Sequence, residues 1–240
     1  MQALILAAGL GTRLKPLTDH TPKALVAVQG QPLLKIAIDN LVRQGITQIV
    51  VNIHHHADQV CQYLLSQQWE VPVLISDERE MLLDTGGGVK KADRLFSRNE
   101  AILIHNVDIL SHINLSLLHD SHTDSMSLAT LVVSERATTR HLLFDQDGQL
   151  TGWRNHQTNE TRWADAPCEH ACELAFDGIA LVEPSLVEML PDADRPYSII
   201  PAYLNIARTH RINYFKLNPN DWIDIGTPQK FAAAQQWKLS

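Results

Sequence analysis

Between Ala8 and Lys23 the sequence sets two glycines, Gly9 and Gly11, beside three cations, Arg13, Lys15 and Lys23. A glycine-rich loop turns several backbone N–H groups toward one point, and cations over that point neutralise an anion. The combination suits phosphate, and polyphosphate in particular. Its spacing is neither of the two common phosphate fingerprints. A P-loop needs lysine directly after its last glycine, whereas Thr12 and Arg13 follow Gly11. A dinucleotide loop needs a third glycine where Leu14 stands. Farther along, Asp108 and Asp224 each close a short apolar run. Mg2+ takes one or two protein carboxylates and completes its octahedron with water and phosphate oxygens, so strand-end aspartates facing a phosphate loop would suit it.

The elements that must hold these residues read as alternating strand and helix. Ala3–Ala7 predicts a buried strand running straight into the glycine loop. Leu34, Ile38 and Leu41 have helical spacing over 33–44, with Gly45 as the terminating residue. Strands follow at 46–53, 71–75 and 101–104, separated by helices at 57–66 and 88–96. This order predicts an α/β fold, a Rossmann-like, mostly parallel twisted sheet with helices on both faces. Ligands bind such sheets beyond the strands' carboxyl ends, where the glycine loop and Asp108 lie. Past residue 125 the texture changes to shorter strands at 126–134, 141–145 and 149–154, with Asp147-Gly148 as a hairpin signal. A polar loop is expected over 155–167, then a strand over 173–182, a helix over 197–207 and a strand over 212–217. The last helix, 227–237, has Thr227 as N-cap and Pro228 in its first turn. The expectation is one domain over 1–240, with a smaller antiparallel β subdomain in 126–240 attached to the sheet of 1–125.

Twenty Lys and Arg against 27 Asp and Glu leave a formal charge of −7. That balance argues against a general nucleic-acid or anionic-membrane binder. Cys61, Cys168 and Cys172 make no disulfide framework and suit a reducing compartment. The apolar start lacks a basic leader, and no run is long enough to cross a bilayer, so a cytoplasmic protein is expected. His54-His-His56 and Cys168-Glu-His-Ala-Cys172 each lack a full set of metal ligands. Trp153, Trp163 and Trp222 read as packing or sugar-stacking residues.

The run Leu6-Ala-Ala-Gly-Leu-Gly-Thr-Arg13, followed by Pro22-Lys23, resembles the signature of the sugar-1-phosphate nucleotidylyltransferases. The resemblance continues through Thr85-Gly-Gly-Gly88, Asn106-Val-Asp108, Phe176-Asp-Gly-Ile179 and Trp222-Ile-Asp-Ile-Gly-Thr227, and so covers nearly the whole chain. It implies the nucleotide-diphospho-sugar transferase fold and a reaction in which a nucleoside triphosphate and a sugar 1-phosphate give a nucleotide sugar and pyrophosphate. Residues 1–125 would then carry the nucleotide, and 126–240 the sugar and the second metal ligand. By the same match, Leu6, Ala7, Ala8 and Gly9 would hold the nucleoside, with Gly86 and Gly87 framing the base. Gly11, Thr12 and Arg13 would grip the pyrophosphate. Lys23 would act where the phosphates meet, Asp108 and Asp224 would bind Mg2+, and Asn106, Glu173 and Gly178 would line the sugar side.

The compact length and the Thr-Gly-Gly-Gly motif are most similar to the branch of the family that uridylylates N-acetylmuramate α-1-phosphate in peptidoglycan recycling. Mannose 1-phosphate guanylylation, glucose 1-phosphate thymidylylation, phosphocholine cytidylylation and a catalytically inactive nucleotide-sugar sensor are the other readings. The oligomeric state is left open. One departure from the family pattern stands out: where many members carry Glu-Lys-Pro, this chain reads Gly152-Trp-Arg-Asn155, making Arg154 the substitute for the lysine at the sugar phosphate. The lactyl carboxylate of a muramate sugar would need a cation or a group of donors, and Arg136, Arg140, His141 and Arg154 are available for it.

Overall fold

The computed structural model describes residues 1–239. In chain order the first half contains β1 (Gln2–Leu6), β2 (Ala27–Val28), β3 (Gln31–Pro32), α1 (Leu33–Arg43), β4 (Gln48–Ile53), α2 (Ala57–Ser66), β5 (Val73–Asp77), α3 (Asp84–Ala92), β6 (Ile102–Asn106), β7 (Ile109–Ser111) and α4 (Leu115–Asp124). The second half contains β8 (Ala129–Ser134), β9 (Arg140–Phe144), β10 (Leu150–Asn155), β11 (Glu160–Trp163), β12 (Cys172–Val182), α5 (Pro184–Met189), α6 (Ile199–Ala207), β13 (Ile212–Lys216), β14 (Trp222–Asp224) and α7 (Pro228–Ala234).

Strands β6, β1, β4 and β5 lie parallel, with Ile5 opposite both Val51 and His105. Their near-continuous apolar sequences follow from burial on both faces. Helices α1 and α2 contribute Leu34, Ile38, Leu41, Val60 and Leu64 to one core, and α3, α5 and α6 contribute Val89, Leu186, Tyr203 and Leu204 to another. The long strand β12 joins the halves. It runs antiparallel to β6 through Ile179–Val182, whereas Cys172–Leu174 pair with β9 in the hairpin sheet β9–β10–β11. Its register against β8 shifts between Phe176 and Ala180. There Gly178 has φ +74°, a left-handed conformation that a side chain disfavours. One ten-stranded sheet therefore passes through both halves.

The expected order of elements is recovered, with differences that have local causes. The third helix begins at Asp84 rather than residue 88, because Gly86-Gly87-Gly88 are helical residues chosen for close packing. Glu160–Trp163, expected within a loop, form β11. There the alternating pairs Gly152–Trp163 and Arg154–Thr161 extend the hairpin sheet despite the polar composition. The helix expected from Tyr197 starts at Ile199, since Tyr197 is held in a backbone clamp to Leu83 and Gly86. Helix α4, capped by the Asn114 side chain, and the short α5 escaped the pattern. At the final helix, the Thr227 hydroxyl accepts from the Lys230 N–H as its cap.

His105 sits in the middle of this sheet, 3% exposed, and burial pushes its imidazole from its ordinary 6.5 down to about 4. The folded state thus binds the proton more weakly than the unfolded chain. The contribution is fully present above pH 6.5 and is lost as pH falls through the folded value, reaching about 3 kcal/mol by pH 4. His105→Gln, compared with the parent by denaturant unfolding at pH 7 and pH 4, should remove most of that difference. An unchanged pH dependence would assign the acid sensitivity elsewhere.

Candidate active site

Beyond the carboxyl ends of β1, β4 and β6 opens a cleft of about 500 Å³, lined by Leu6, Ala7, Ala8, Gly9, Lys23, Asn52, Leu82, Asp84, Thr85, Asn106, Val107, Asp108 and Pro196. Its floor is set by a buried polar bridge. The Asn52 carbonyl oxygen accepts from the N–H of Ala7 at 2.6 Å and of Ala8 at 3.2 Å. The Asn52 amide donates to Glu78 Oε1 at 2.7 Å, and Glu78 Oε2 accepts from the Leu83 N–H at 3.1 Å. Glu78 is fully buried, and burial raises its carboxyl above the usual range even though Asn52 and Leu83 oppose the shift. A Cβ on Gly88 would stand 2.9 Å from both Asn52 Nδ2 and Glu78 Oε1. That position must lack a side chain for α3 to reach the bridge. The Ala7 and Ala8 amides are therefore committed to Asn52, and Leu6, Ala7, Ala8 and Gly9 all line the cleft.

Gly86 and Gly87 are buried in the first turn of α3. The Gly86 N–H donates to the Tyr197 carbonyl, and Gly86 packs under the Tyr197 ring. Among the cleft's lining residues, this motif contributes Thr85 rather than Gly86 or Gly87.

The two aspartates meet on a small ribbon. In β14–β7 Asp224 stands opposite Ile109, and the Ile225 N–H donates to the Asp108 carbonyl at 2.8 Å. Asp108 is ion-paired with Lys23, and Asp224 with Lys230. The Asp224 side chain also accepts from the Gly226 N–H at 3.1 Å. Arg13 packs over Gly226, where a Cβ would stand 3.0 Å from its Nη2. Gly11 and Thr12 precede it at the loop's turn, with the Gly11 carbonyl accepting from the Thr18 hydroxyl. The structure thus places Lys23 and Asp108 in the cleft lining, with Asp224 and Arg13 beside them at the ribbon. Two partly buried carboxylates at neighbouring strand ends, one of them lining the cleft, fit the oxygen-donor chemistry of a hard dication.

Gly178 packs against the Asn106 side chain, where β12 passes the carboxyl end of β6. Glu173 lies on the hairpin sheet, where it pairs with Arg154 at 2.5 Å and His156 at 2.6 Å. Burial acts to raise the Glu173 carboxyl, but the hydrogen bonds from His156 and Arg154 hold it below the usual carboxylate range. A second cleft, of about 470 Å³, lies between this sheet and α6, lined among others by Arg136, Arg140, His141, Trp153, Arg162 and Phe176. The two clefts flank Tyr197, with Pro196 in one and Ser198 in the other.

A nucleotidyl transferase family model matches residues 2–142, which include Asp108 and every residue lining the first cleft except Pro196. The chain belongs to the nucleotidyl transferase family. It is 31% identical over 242 residues to an N-acetylmuramate alpha-1-phosphate uridylyltransferase of Caulobacter vibrioides, with 97% of this chain and 95% of that one covered. It is 28% identical to a mannose-1-phosphate guanyltransferase of Aspergillus oryzae, where 96% of this chain spans only 62% of the relative's length. The fold is shared with HddC from Yersinia pseudotuberculosis (TM-score 0.77, 22% identity, 98% of each chain). It is also shared with a UDP-glucose pyrophosphorylase from Acinetobacter baumanii (TM-score 0.78, 17% identity, 98% of this chain and 91% of that one).

This nucleotidyltransferase carries site residues that its sequence did not announce. Asn52 and Glu78 end ordinary-looking β-segments, and only their meeting beneath the loop reveals them. Lys230 was concealed by its place in the last helix, and only the fold brings it to Asp224. No helix among the described residues is long and apolar enough to cross a membrane.

Asn52→Ala leaves two loop amides without their buried acceptor. It should lower stability by about 1–3 kcal/mol for each group left unpaired, measured by urea unfolding. Nucleoside triphosphate KM should rise more than sugar-phosphate KM, because the loop lines the first cleft. Equal rises in both would show that the bridge supports the whole enzyme rather than this loop.

Proposed function

We propose that the enzyme transfers UMP from UTP to N-acetylmuramate 1-phosphate, releasing pyrophosphate, in cytoplasmic recycling of cell-wall sugar. The observation that carries the sugar assignment is the second cleft. Arg140 lines it with no ion pair or hydrogen bond to its guanidinium among the described residues, in a cleft that Trp153 also lines. The other two arginines considered for the lactyl carboxylate are engaged. Arg136 bonds Asp177 at 2.9 Å and the Phe176 carbonyl at 2.7 Å, and Arg154 bonds Glu173 and Thr161. Arg140 is therefore the group proposed to meet the carboxylate. The likeness to the Caulobacter relative over nearly both whole chains supports the same reading. In this reading residues 1–125 carry the nucleotide, and 126–240 carry the sugar and the second metal ligand.

Asp108 and Asp224 are the residues proposed to hold Mg2+. When bound, the ion neutralises charge on the reacting phosphates. The sugar phosphate oxygen is already ionised at neutral pH, so the chain's task is alignment of two polyanions and stabilisation of the leaving pyrophosphate. Lys23, beside Asp108 in the first cleft, supplies positive charge where the phosphates meet. Gly11, Thr12 and Arg13, with Gly11 beside Lys23 and Arg13 beside Gly226, are the residues proposed to receive pyrophosphate. Asn106, Glu173 and Gly178 bound the path from Asp108 to the hairpin sheet, on the sugar side.

Pyrophosphate release measured across nucleoside triphosphates and sugar 1-phosphates should be greatest for UTP with the muramate sugar. Asp108→Asn, Asp224→Asn and Lys23→Ala should each lower kcat about 100-fold or more with the fold intact. Arg140→Ala should lower kcat/KM for the muramate sugar relative to N-acetylglucosamine 1-phosphate about tenfold or more, the worth of one charge-assisted hydrogen bond. An equal loss for both sugars would move Arg140 to their common phosphate. A preference for GTP and mannose 1-phosphate would replace the substrate assignment and leave the transfer chemistry standing.

A further inference from the structure

The hairpin sheet gathers ligating side chains on one face. His141 and Arg154 are cross-strand partners in β9–β10, Glu173 pairs with Leu143 two residues along β9, and His156 follows β10 by one residue. Side chains two apart on a strand share a face, so all four groups project the same way. The imidazoles of His141 and His156 are edge to face, with ring centroids 5.2 Å apart. One ligand atom from each of His141, His156 and Glu173 lies within 4.8 Å of the other two. The buried Nδ1 of His141 has no hydrogen-bond partner and stands 3.8 Å from Glu173 Oε2, too far for a hydrogen bond.

We infer that His141, His156 and Glu173 form a binding site for a transition-metal dication of the zinc class, distinct from the Asp108–Asp224 pair. Two imidazole nitrogens and one carboxylate oxygen are a common donor set for zinc. With zinc–ligand bonds of about 2.0–2.2 Å, tetrahedral ligands stand roughly 3.3 Å apart. The present separations of 2.6 Å and 3.8 Å from Glu173 Oε2 to His156 and His141 bracket that value. Small side-chain rotations suffice to admit the ion. Burial lowers the His141 pKa, and the neighbouring His156 and Arg136 add to the shift against the opposing charge of Glu173, which favours the neutral, ligating imidazole. Arg154 holds Glu173 Oε1 and leaves Oε2 for the ion, the outer arrangement usual around a ligating carboxylate. His156 is half exposed, so the remaining coordination position opens to water. Bound there, the ion would tie β9, β10 and β12 together beneath one wall of the second cleft. The proposal does not rest on the choice of sugar or nucleotide.

The full-length protein, stripped with chelator and kept in excess Mg2+, would be titrated with Zn2+ against a chromophoric competitor. Co2+ would serve as a visible-absorbing substitute. One Zn2+ per chain is expected, with a tetrahedral Co2+ spectrum and a rise in Tm on Zn2+ addition. His141→Ala and the solvent-side His156→Gln should each weaken Zn2+ binding by about tenfold or more and abolish the Tm rise. Cys172→Ser should leave both unchanged. The metal-free Tm of each variant reports folding separately, and His156→Gln changes a half-exposed side chain. Absence of uptake, uptake indifferent to both histidine variants, or a thiolate-type cobalt spectrum lost in Cys172→Ser would each overturn the site.

Discussion

The carboxamide of Asn52 is the point on which the loop, the sheet and α3 all depend. A buried carbonyl oxygen that accepts two amides, and an amide that donates to a buried carboxylate, satisfy groups that would otherwise cost several kcal/mol to remove from water. Each partner constrains a different element. Ala7 and Ala8 fix the exit of β1, Asn52 the end of β4, Glu78 the residue after β5, and Leu83 the approach to α3. The glycine loop emerges in a set direction because the two residues before Gly9 have no other place for their amides. Gly88 completes the arrangement from the helix side, where any side chain would strike both members of the bridge.

A second buried anion performs the corresponding task for the other half. Asp177 is fully buried, and burial raises its carboxyl, while hydrogen bonds from Arg136 and Ser134 resist that shift. The Arg136 guanidinium, anchored there, lies 4.3 Å from the centre of the Trp222 ring, and the Trp222 indole donates to the Asp177 carbonyl at 2.8 Å. Trp222 opens β14, and Asp224 ends it. The path from β12 to the second aspartate is thus short and packed, and the bend at Gly178 places Asp177 where it can serve both. The family motif around Phe176–Ile179 has a structural content here: it seats the ribbon that carries Asp224.

Where chemistry and local pattern coincided, the sequence was readable. The apolar strand before Gly9, the helix ending at Gly45, the Asp147-Gly148 turn and the Thr227 cap are local signals, and each appears in the structure at its expected place. Asp108 and Asp224 shared a legible local setting, the end of an apolar run, although the β7–β14 pairing that sets Asp224 opposite Ile109, next to Asp108, is tertiary. Long-range polar partnerships were not legible. Asn52 with Glu78, Arg136 with Asp177 and Lys230 with Asp224 are separated by other elements or hidden in ordinary helical sequence, and no periodicity marks them. The triple glycine runs against propensity. A run that suggests a loop on propensity is helical here because close packing against Tyr197, Leu83 and the Asn52–Glu78 bridge outweighs the entropic cost of glycine.

Both carboxylates at the site are already balanced by lysines, Lys23 with Asp108 and Lys230 with Asp224, and Arg13 packs beside Gly226 as a further cation near the second aspartate. This balance constrains the proposed reaction. For the Lys23 ammonium to turn to a phosphate, Asp108 must lose its counter-charge, and a partly buried carboxylate left alone is costly. The same holds for Lys230 and Asp224. A polyphosphate arriving without a cation would separate both pairs and leave two carboxylates close to its own negative oxygens. A dication arriving alone would take the carboxylates and leave two ammonium groups facing it. On the proposed roles, only the two together would exchange both ion-pair partners without stranding a charge, the lysines turning to phosphate and the aspartates to metal. The ion pairs are therefore more than resting contacts. On those roles they would make binding of metal and of polyphosphate mutually dependent, so that the site would be assembled by the charged complex it acts upon.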